Sequence, residues 1–165
     1  MRLNDTINTS CNILIVDDYP VNVLLASKII QNAGYKTTSA PDGETALKLI
    51  KKTEYDLILL DIMMPGIDGF EVCRRLQNDP AQNKIPIIFL TALNDSADVA
   101  KGLKLGAVDY VTKPIDSLVL MARVKTHLEL SHKRNQLEQQ IIIDELTGLL
   151  NRWGFINTLE DHLKF

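Results

Sequence analysis

The feature that most constrains the fold is an aliphatic run that ends in a carboxylate. Residues 57–60 are Leu-Ile-Leu-Leu, and Asp61 follows them directly. An uninterrupted apolar run of this length, bounded by turn residues, is typical of a strand that is buried on both faces. Pro65-Gly66 and Asp68-Gly69 then predict a tight, exposed loop. Asp61 is therefore expected at the carboxyl end of a buried strand, which is the edge where open parallel sheets bind ligands.

Four other segments carry the pattern of a strand. They are 13–16, 35–39, 87–90 and 108–111. The segment at 35–39 is the most polar of them and is expected at an edge of the sheet. Amphipathic helical patterns lie between the strands and after the last one. This alternation predicts an α/β domain with a five-stranded parallel sheet, ending near residue 130.

Turn and capping residues bound the predicted helices. Asp42, Asp68 and Asp116 are placed to cap the second, third and last helix, and Glu71 completes a possible capping box with Asp68. Gly34 suits the end of the first helix. Apolar spacing also predicts the inward-facing residues of four helices. They are Val21, Leu24, Leu25 and Ile29 in the first, Ala46, Leu47 and Ile50 in the second, Val72 and Leu76 in the third, and Val99 and Leu103 in the fourth.

Composition limits the classes of function. The net charge is -3 and the predicted pI is about 5.6, so the basic excess typical of nucleic-acid partners is missing and no such partner is expected. No apolar run approaches a membrane span and the first twelve residues lack a signal-peptide core, so a cytoplasmic protein without membrane contact is expected. Cys11 and Cys73 are then expected as reduced thiols, and His127 and His132 as solvated helix residues.

Polar residues follow the ends of the strongest strands. Because the strands of a parallel sheet run in the same direction, these residues should lie at one edge of the sheet. They are Asp17, Asp18, Asp61, Thr91 and Lys113. Three crowded carboxylates repel one another, and Mg²⁺, which prefers oxygen ligands, would relieve that repulsion. Lys113 and Thr91 could bind a phosphoryl group, with Asp61 as the nucleophile that forms an aspartyl phosphate.

These residues resemble the receiver domain of two-component response regulators. The matching motifs are Asp17-Asp18, Asp61 with its Met64-Pro65-Gly66 and Asp68-Gly69 loop, Thr91-Ala92, and Lys113-Pro114. The resemblance covers roughly residues 12–130. It implies a flavodoxin-like, doubly wound sheet with strand order 2-1-3-4-5.

The resemblance also implies the chemistry of the site. Asp61 would accept a phosphoryl group from a histidine kinase or a phosphotransfer protein. Asp18, Asp61 and the backbone carbonyl of Met63 would bind Mg²⁺, with Asp17 holding a metal-bound water.

Three further residues are implied to respond to phosphorylation. Lys113 would pair with the phosphoryl group, Thr91 would move to bond it, and Tyr110 would swing inward behind Thr91. A cis Lys113-Pro114 bond is expected, because it would aim Lys113 back at Asp61.

The C-terminal part of the chain predicts one long helix from Asp116 to about residue 143. Leu130, Leu137 and Ile141 have coiled-coil spacing, so a homodimer is expected; the alternative is a single helix folded onto its own domain. The predicted organisation is a disordered or extended N-terminus at 1–11, a receiver domain at 12–130, a helical linker at 131–143 and a truncated output domain at 144–165.

Residues 144–155 resemble the opening of a diguanylate cyclase (GGDEF) domain. Asp144, Leu146-Thr147-Gly148-Leu149 and Asn151-Arg152 match that opening, whereas Trp153 replaces the usual arginine. The signature and metal-binding carboxylates of that family would lie beyond Phe165. The chain is therefore expected to be non-enzymatic, either a fragment of a longer receiver–cyclase protein or a natural remnant of one. A helix is expected from Arg152, with Phe155, Leu159 and Leu163 on one face.

Three alternatives stay open at this stage. A stand-alone receiver would act by protein–protein interaction alone. A haloacid-dehalogenase-like phosphatase would need a second aspartate at the position of Met63. A flavin-binding flavodoxin-like protein would need a phosphate-binding loop after the first strand, where Asp17 and Asp18 stand instead.

Overall fold

Five strands and five helices alternate in the part of the chain that the structure describes. The computed structural model describes residues 11–92 and 96–163, without the side chains of 143–144 and 148–163. The strands are β1 Asn12–Val16, β2 Lys36–Ala40, β3 Leu57–Asp61, β4 Ile87–Ala92 and β5 Asp109–Lys113. The helices are α1 Pro20–Asn32, α2 Gly43–Lys52, α3 Gly69–Gln77, α4 Ser96–Lys104 and α5 Ser117–Leu163. The expectation for residues 1–10 lies outside the described residues.

The strands form one parallel sheet in the order β2-β1-β3-β4-β5, which confirms the predicted flavodoxin-like topology. The polar strand β2 lies at an edge, as expected. Registers such as Val16 with Leu60, Asp61 with Leu90, and Ala92 with Lys113 align the carboxyl ends of neighbouring strands. We call this side of the sheet the carboxyl edge.

Both faces of the sheet are buried, and β3 shows why its sequence is apolar throughout. Ile58 and Leu60 belong to the core cluster that includes α2 and α3 side chains. Leu57 and Leu59 point to the opposite face and pack in the cluster with α1 and α5 side chains. Since successive strand residues alternate between faces, a strand covered on both sides needs an apolar residue at every position.

The predicted helix caps are confirmed. Asp42 accepts a hydrogen bond from the Thr45 backbone N at 2.7 Å, and Asp68 accepts one from Glu71 N at 2.8 Å. Asp116 accepts from the amides of Leu118 and Val119 at 2.9 and 3.0 Å. The Glu71 carboxylate forms ion pairs with Arg74 and Arg75 at 2.7 and 2.8 Å.

The predicted inward face of α1 is wrong in most positions. Val21, Leu24 and Leu25 are 62%, 56% and 42% exposed, whereas Ala26 and Ile30 are buried. Apolar residues occur on nearly every side of this helix, so their spacing alone does not select the face. Ala26 and Ile30, four residues apart, form the face that packs in the core with side chains of β1, β3 and β4.

Helix α4 also presents a different face from the predicted one. Val99 is half-buried and Leu103 is 45% exposed, while Gly102 is the residue that is buried. A Cβ atom at Gly102 would lie 2.7 Å from the Phe89 ring. The helix therefore packs on the ring through the missing side chain, which apolar periodicity does not detect.

The described chain separates into two compact units, Met1–Ser131 and His132–Phe165. In the first, α5 buries Leu120, Val124 and Leu128. In the second, the helix continues through Leu163, well beyond its predicted end near 143 and without a new start at 152. The expected shared face of Phe155, Leu159 and Leu163 lies outside the described side chains. Among the described residues, no helix has both the length and the apolar character of a membrane span.

Candidate functional site

Three carboxylates meet at the carboxyl edge of the sheet. Asp17 follows β1 and Asp61 is the last residue of β3; they are only 1% and 5% exposed, whereas Asp18 is exposed. One oxygen from each of Asp17, Asp18 and Asp61 lies within 4.8 Å of the other two. The edge thus gathers three acids that are far apart in the sequence, as their positions after buried strands predict.

Asp17 is held in place by three donors. Its Oδ1 accepts a hydrogen bond from Tyr19 N at 2.8 Å, and its Oδ2 accepts from Asn22 Nδ2 at 3.1 Å and from Lys113 Nζ at 2.9 Å. Sequence reasoning missed Asn22. The available signal was a lone polar residue in the otherwise apolar first turns of α1.

Lys113 places its ammonium group between two buried acids. Its Nζ lies 2.9 Å from Asp17 Oδ2 and 3.0 Å from Asp61 Oδ1. Burial lowers the pKa of Lys113, but hydrogen bonds to Asp17 and Asp61 outweigh burial, and the net pKa is raised. The lysine is therefore a permanent cation at this edge. The Lys113-Pro114 bond is cis, as predicted.

Asp61 has a raised pKa of about 6. Burial is the largest cause, because a carboxylate in a low-dielectric setting loses hydration. Lys113 opposes this rise, the Asp17 charge adds to it, and a 3.3 Å hydrogen bond from Met63 N opposes it weakly. Asp61 is thus an acid whose charged form is poorly stabilised unless another cation approaches.

The remaining predicted residues lie on or beside the same edge. Thr91 is 5% exposed, and its hydroxyl donates to the carbonyl oxygen of Ala92 at 3.1 Å. Tyr110 is half-buried against the core cluster that includes Phe89. The Met63 side chain is 74% exposed. The structure brings Asp17, Asp61 and Lys113 into direct contact; the roles expected of Thr91, Tyr110 and the Met63 carbonyl stay predictions.

The loop after β3 is folded tightly against the strand. Gly69 N donates to the Ile62 carbonyl at 2.8 Å. A Cβ atom at Gly69 would overlap the backbone carbonyl oxygen of Asp61. Gly66 has a φ of 79°, a conformation that favours glycine. These two glycines let the chain turn away directly after Asp61.

A groove of about 360 Å³ opens beside Asp18. It is lined by Asp18, Pro41, Asp42, Glu44, Pro65, Gly66 and Ile67. Solvent and small solutes can therefore reach the exposed acid of the cluster.

The acid cluster fits Mg²⁺ by its chemistry. The donors are carboxylate oxygens, the ligands that this hard cation prefers, and they are gathered within 4.8 Å. Octahedral coordination at about 2.1 Å places ligand oxygens within roughly 3–4 Å of one another, so only a small contraction is needed. Because Asp18 is exposed, the cation can keep several waters, as Mg²⁺ usually does.

A second polar cluster was missed. His127 does not project into solvent: its side chain is 15% exposed and its Nε2 lies 2.9 Å from Asp109 Oδ2. Arg123 Nη1 lies 2.8 and 2.9 Å from the two Asp109 oxygens. The three residues come from β5 and two successive turns of α5, and the sequence around each of them does not predict their contact.

A parallel sheet with acids and a lysine at its carboxyl edge defines a class of α/β domains that handle phosphoryl groups. A family model described as the response regulator receiver domain matches residues 13–125, and the chain belongs to that family. Membership of the receiver family excludes the phosphatase and flavin-binding alternatives.

The alignments with individual relatives include most of this chain but only a minor part of each relative. It is 43% identical to the response regulator PleD of Caulobacter vibrioides over 137 residues, which are 83% of this chain and 28% of PleD. It is 38% identical to a probable cyclic di-GMP phosphodiesterase of Vibrio cholerae over 157 residues, which are 95% of this chain and 35% of that protein. The chain thus spans about a third or less of these two relatives.

Solved structures show the same fold. A putative response regulator from Chloroflexus aurantiacus matches with a TM-score of 0.71 and 36% identity, covering 72% of this chain and 98% of that one. The chemotaxis response regulator CheY4 of Vibrio cholerae matches with a TM-score of 0.66 and 30% identity, covering 71% and 98%.

Proposed function

We propose that this receiver is switched by phosphorylation of Asp61, with a histidine kinase or a phosphotransfer protein as the donor. The observation that carries the proposal is a buried carboxylate with a pKa of about 6, 3.0 Å from Lys113 and beside two further acids. A carboxylate held next to a fixed cation can approach an anionic phosphoryl group that it would otherwise repel.

In the proposed step, an Asp61 carboxylate oxygen attacks the donor phosphorus. An O–P bond forms to Asp61, and the bond from phosphorus to the donor nitrogen breaks. The donor imidazole, protonated on its other ring nitrogen, leaves with the electron pair and so becomes the neutral ring. Lys113 can follow the phosphoryl oxygens because its Nζ already lies within ion-pair distance of Asp61.

Asp18, Asp61 and the Met63 carbonyl would hold Mg²⁺, with Asp17 contacting it through a water. When bound, Mg²⁺ neutralises charge on the carboxylates and on the phosphoryl oxygens. Asp17 is buried, and its oxygens already accept hydrogen bonds from Tyr19, Asn22 and Lys113. This supports a role in metal binding through a water rather than by direct contact.

Thr91 and Tyr110 would report the modification. The Thr91 hydroxyl, now on the Ala92 carbonyl, would turn to a phosphoryl oxygen. Tyr110 would move inward behind it. Since both residues lie on neighbouring strands, with Phe89 paired to Tyr110 and Thr91 paired to Thr112, the change would reach the β5 side of the domain.

The test is covalent labelling with acetyl phosphate and Mg²⁺, followed by intact mass. The wild-type chain is expected to gain one phosphoryl group, and Asp61→Asn is expected to gain none. Asp56→Asn is the matched control, because Asp56 is exposed and precedes the opposite end of the same strand. Full labelling of Asp61→Asn would refute the assignment.

We further propose that the switch acts in the cytoplasm on a C-terminal output, with a homodimer as the active form. Residues 144–155 support a diguanylate cyclase output through their resemblance to its opening motif, while this chain alone would carry only self-phosphorylation. The similarity to the Vibrio phosphodiesterase over 95% of the chain favours cyclic di-GMP hydrolysis as a second candidate.

These two outputs are separated by assaying the natural full-length protein with GTP and with cyclic di-GMP. A diguanylate cyclase makes cyclic di-GMP from GTP, whereas a phosphodiesterase hydrolyses cyclic di-GMP. In either case Asp61→Asn should remove the response to acetyl phosphate. If neither nucleotide turns over, the receiver acts by protein–protein interaction.

A further inference from the structure

Strand β5 is tied to α5 by the three side chains that we call the Asp109 cluster: Asp109, Arg123 and His127. Asp109 accepts from Arg123 Nη1 at 2.8 and 2.9 Å, lies 2.9 Å from His127 Nε2, and accepts from Tyr110 N at 2.8 Å. The side chains of Asp109 and His127 are 19% and 15% exposed. Partial burial makes these charge-assisted bonds stronger than the same contacts in water.

Arg123 contacts both faces of β5. Asp109 shares a face of the strand with Val111, whose core cluster contains α5 side chains, and Tyr110 points to the opposite face. The Arg123 guanidinium carbon nevertheless lies 5.6 Å from the centre of the Tyr110 ring, within cation–π range. Arg123 thus wraps around the open edge of the strand and bonds to two consecutive residues.

This arrangement matters because β5 is an edge strand. In the sheet it pairs with β4 alone, and the side-chain bonds of Asp109 add a connection to α5. The same short strand carries Asp109 at one end, Tyr110 next to it, and Lys113 at the other end. A side chain that fixes Asp109 and Tyr110 therefore influences the residue expected to move and the strand that carries the lysine.

The bonding of Arg123 is incomplete. Its Nε is buried and, among the described side chains, has no hydrogen-bond partner. An unsatisfied buried donor weakens the arrangement that contains it. The missing hydrogen bond lowers the cost of moving Arg123 away from Tyr110.

We propose that Arg123, oriented by Asp109 and His127, is a positioning residue that holds Tyr110 in its present half-buried place and so opposes the phosphorylated state. The inference rests on the proposed function, because it needs modification of Asp61 to move Tyr110. Removing the cation should raise the fraction of molecules ready to switch, and apparent affinity for a phosphoryl mimic rises with that fraction.

His127 shares the Asp109 carboxylate with Arg123 and helps to fix its orientation. Its Nε2 lies 2.9 Å from Asp109 Oδ2. Loss of this contact should loosen Asp109 and, with it, Arg123.

The experiment is a beryllofluoride titration in Mg²⁺, monitored by ¹⁹F NMR of protein labelled with 3-fluorotyrosine. Tyr110→Phe assigns the Tyr110 signal. Arg123→Ala is expected to lower the apparent dissociation constant about three- to tenfold, and Arg123→Lys, which keeps the cation but not the forked geometry, less than that. Lys125→Ala removes an exposed cation from the same helix and should behave as wild type.

A second arm tests whether His127 orients Asp109. His127→Ala removes the contact with Asp109 and should lower the apparent dissociation constant in the same direction as Arg123→Ala. His132→Ala alters an exposed histidine of the same helix and should behave as wild type.

The outcomes separate the two ideas. A wild-type chain with no beryllofluoride response would overturn both the phosphorylation switch and the restraint. A normal wild-type response with unchanged or weakened affinity in folded Arg123→Ala would overturn the restraint alone. Unchanged affinity in folded His127→Ala would remove His127 from it.

Discussion

Asp61 is a single residue whose surroundings act in opposite directions on its charge. Burial and the neighbouring Asp17 raise its pKa, while Lys113 and Met63 N lower it, and the balance lies at about 6. The folded protein therefore holds a proton on Asp61 at a pH where the unfolded chain does not. Its ionised form is available near neutrality, but it is costly to keep.

We expect the Asp61 carboxyl group to titrate near pH 6 without Mg²⁺ and at lower pH with it, because a bound cation favours the charged form. ¹³C NMR of carboxyl-labelled aspartate, assigned by the signal lost in Asp61→Asn, measures both midpoints. An Asp61 midpoint below 4.5 without the metal would contradict the burial argument.

The same pKa predicts how stability depends on pH. Because the folded value lies above the ordinary value of 3.8, the free energy of unfolding should fall as pH rises from about 4 to about 7. Asp61→Asn cannot ionise, so it should be more stable than wild type at pH 7 by about 1–3 kcal/mol. Urea unfolding at pH 4.5 and 7 measures this, and a variant less stable than wild type at pH 7 would contradict it.

Asp18 offers a separate test of the metal site, because it is exposed and can be changed without disturbing the core. Mg²⁺ at ten times its dissociation constant should raise the wild-type melting temperature by about 3–6 °C. Asp18→Asn should melt like wild type without Mg²⁺ and lose most of the rise. Glu54→Gln, which alters another exposed acid, is the control that should keep it. An equal rise in Asp18→Asn would move the site elsewhere.

At the scale of whole elements, strands were easier to predict than helix faces. A strand that is buried on both faces, such as β3, is apolar at every position, so its apolar run alone predicts that it lies in the middle of the sheet. In α2 and α3 the apolar spacing gave the buried face correctly, since Ile50, Val72 and Leu76 are buried. In α1 and α4 it did not, because the small residues Ala26 and Gly102 are buried while Leu25 and Leu103 are exposed.

Gly69 and Gly102 should respond differently to alanine, although an added Cβ would clash at both. At Gly69 the obstacle is the Asp61 backbone, which cannot move away, whereas at Gly102 it is the Phe89 ring. Gly69→Ala is expected to cost about 3 kcal/mol. Gly102→Ala gains helix propensity and should stay within about 1 kcal/mol of wild type. Chemical denaturation measures both, and equal costs would show that the ring is as rigid as the backbone.

At the scale of the whole molecule, the order of the strands explains which parts of the site were predictable. Asp17, Asp61 and Lys113 each stand at a strand end, so the topology alone brings them together. Asn22 and His127 reach their partners from helices, and those contacts depend on helix rotation. A single sequence does not fix that rotation, which is the same reason that the inward faces of α1 and α4 were wrong.

The long helix exposes apolar side chains in both of its units. Leu118 and Leu130 in the first are 81% and 56% exposed, and Leu137 and Ile141 in the second are 60% and 58% exposed. Leu130 and Leu137 are seven residues apart and Ile141 follows four later, a spacing that suits pairing with a second copy. Burying such a seam would remove apolar surface that a monomer leaves in water.

We therefore expect a homodimer that strengthens when Asp61 carries a phosphoryl mimic, because the change at Thr91 and Tyr110 lies on the strands beside α5. Sedimentation velocity with and without beryllofluoride measures it. Leu137→Lys should weaken dimerisation more than tenfold. In a two-fold symmetric dimer the substitution removes a leucine and adds a charge in both copies. Leu118→Lys is the matched control on the receiver part of α5 and should leave a helix-seam dimer intact. If Leu118→Lys disrupts the dimer and Leu137→Lys does not, the interface lies on the receiver; a monomer in both states at high micromolar concentration would exclude the dimer.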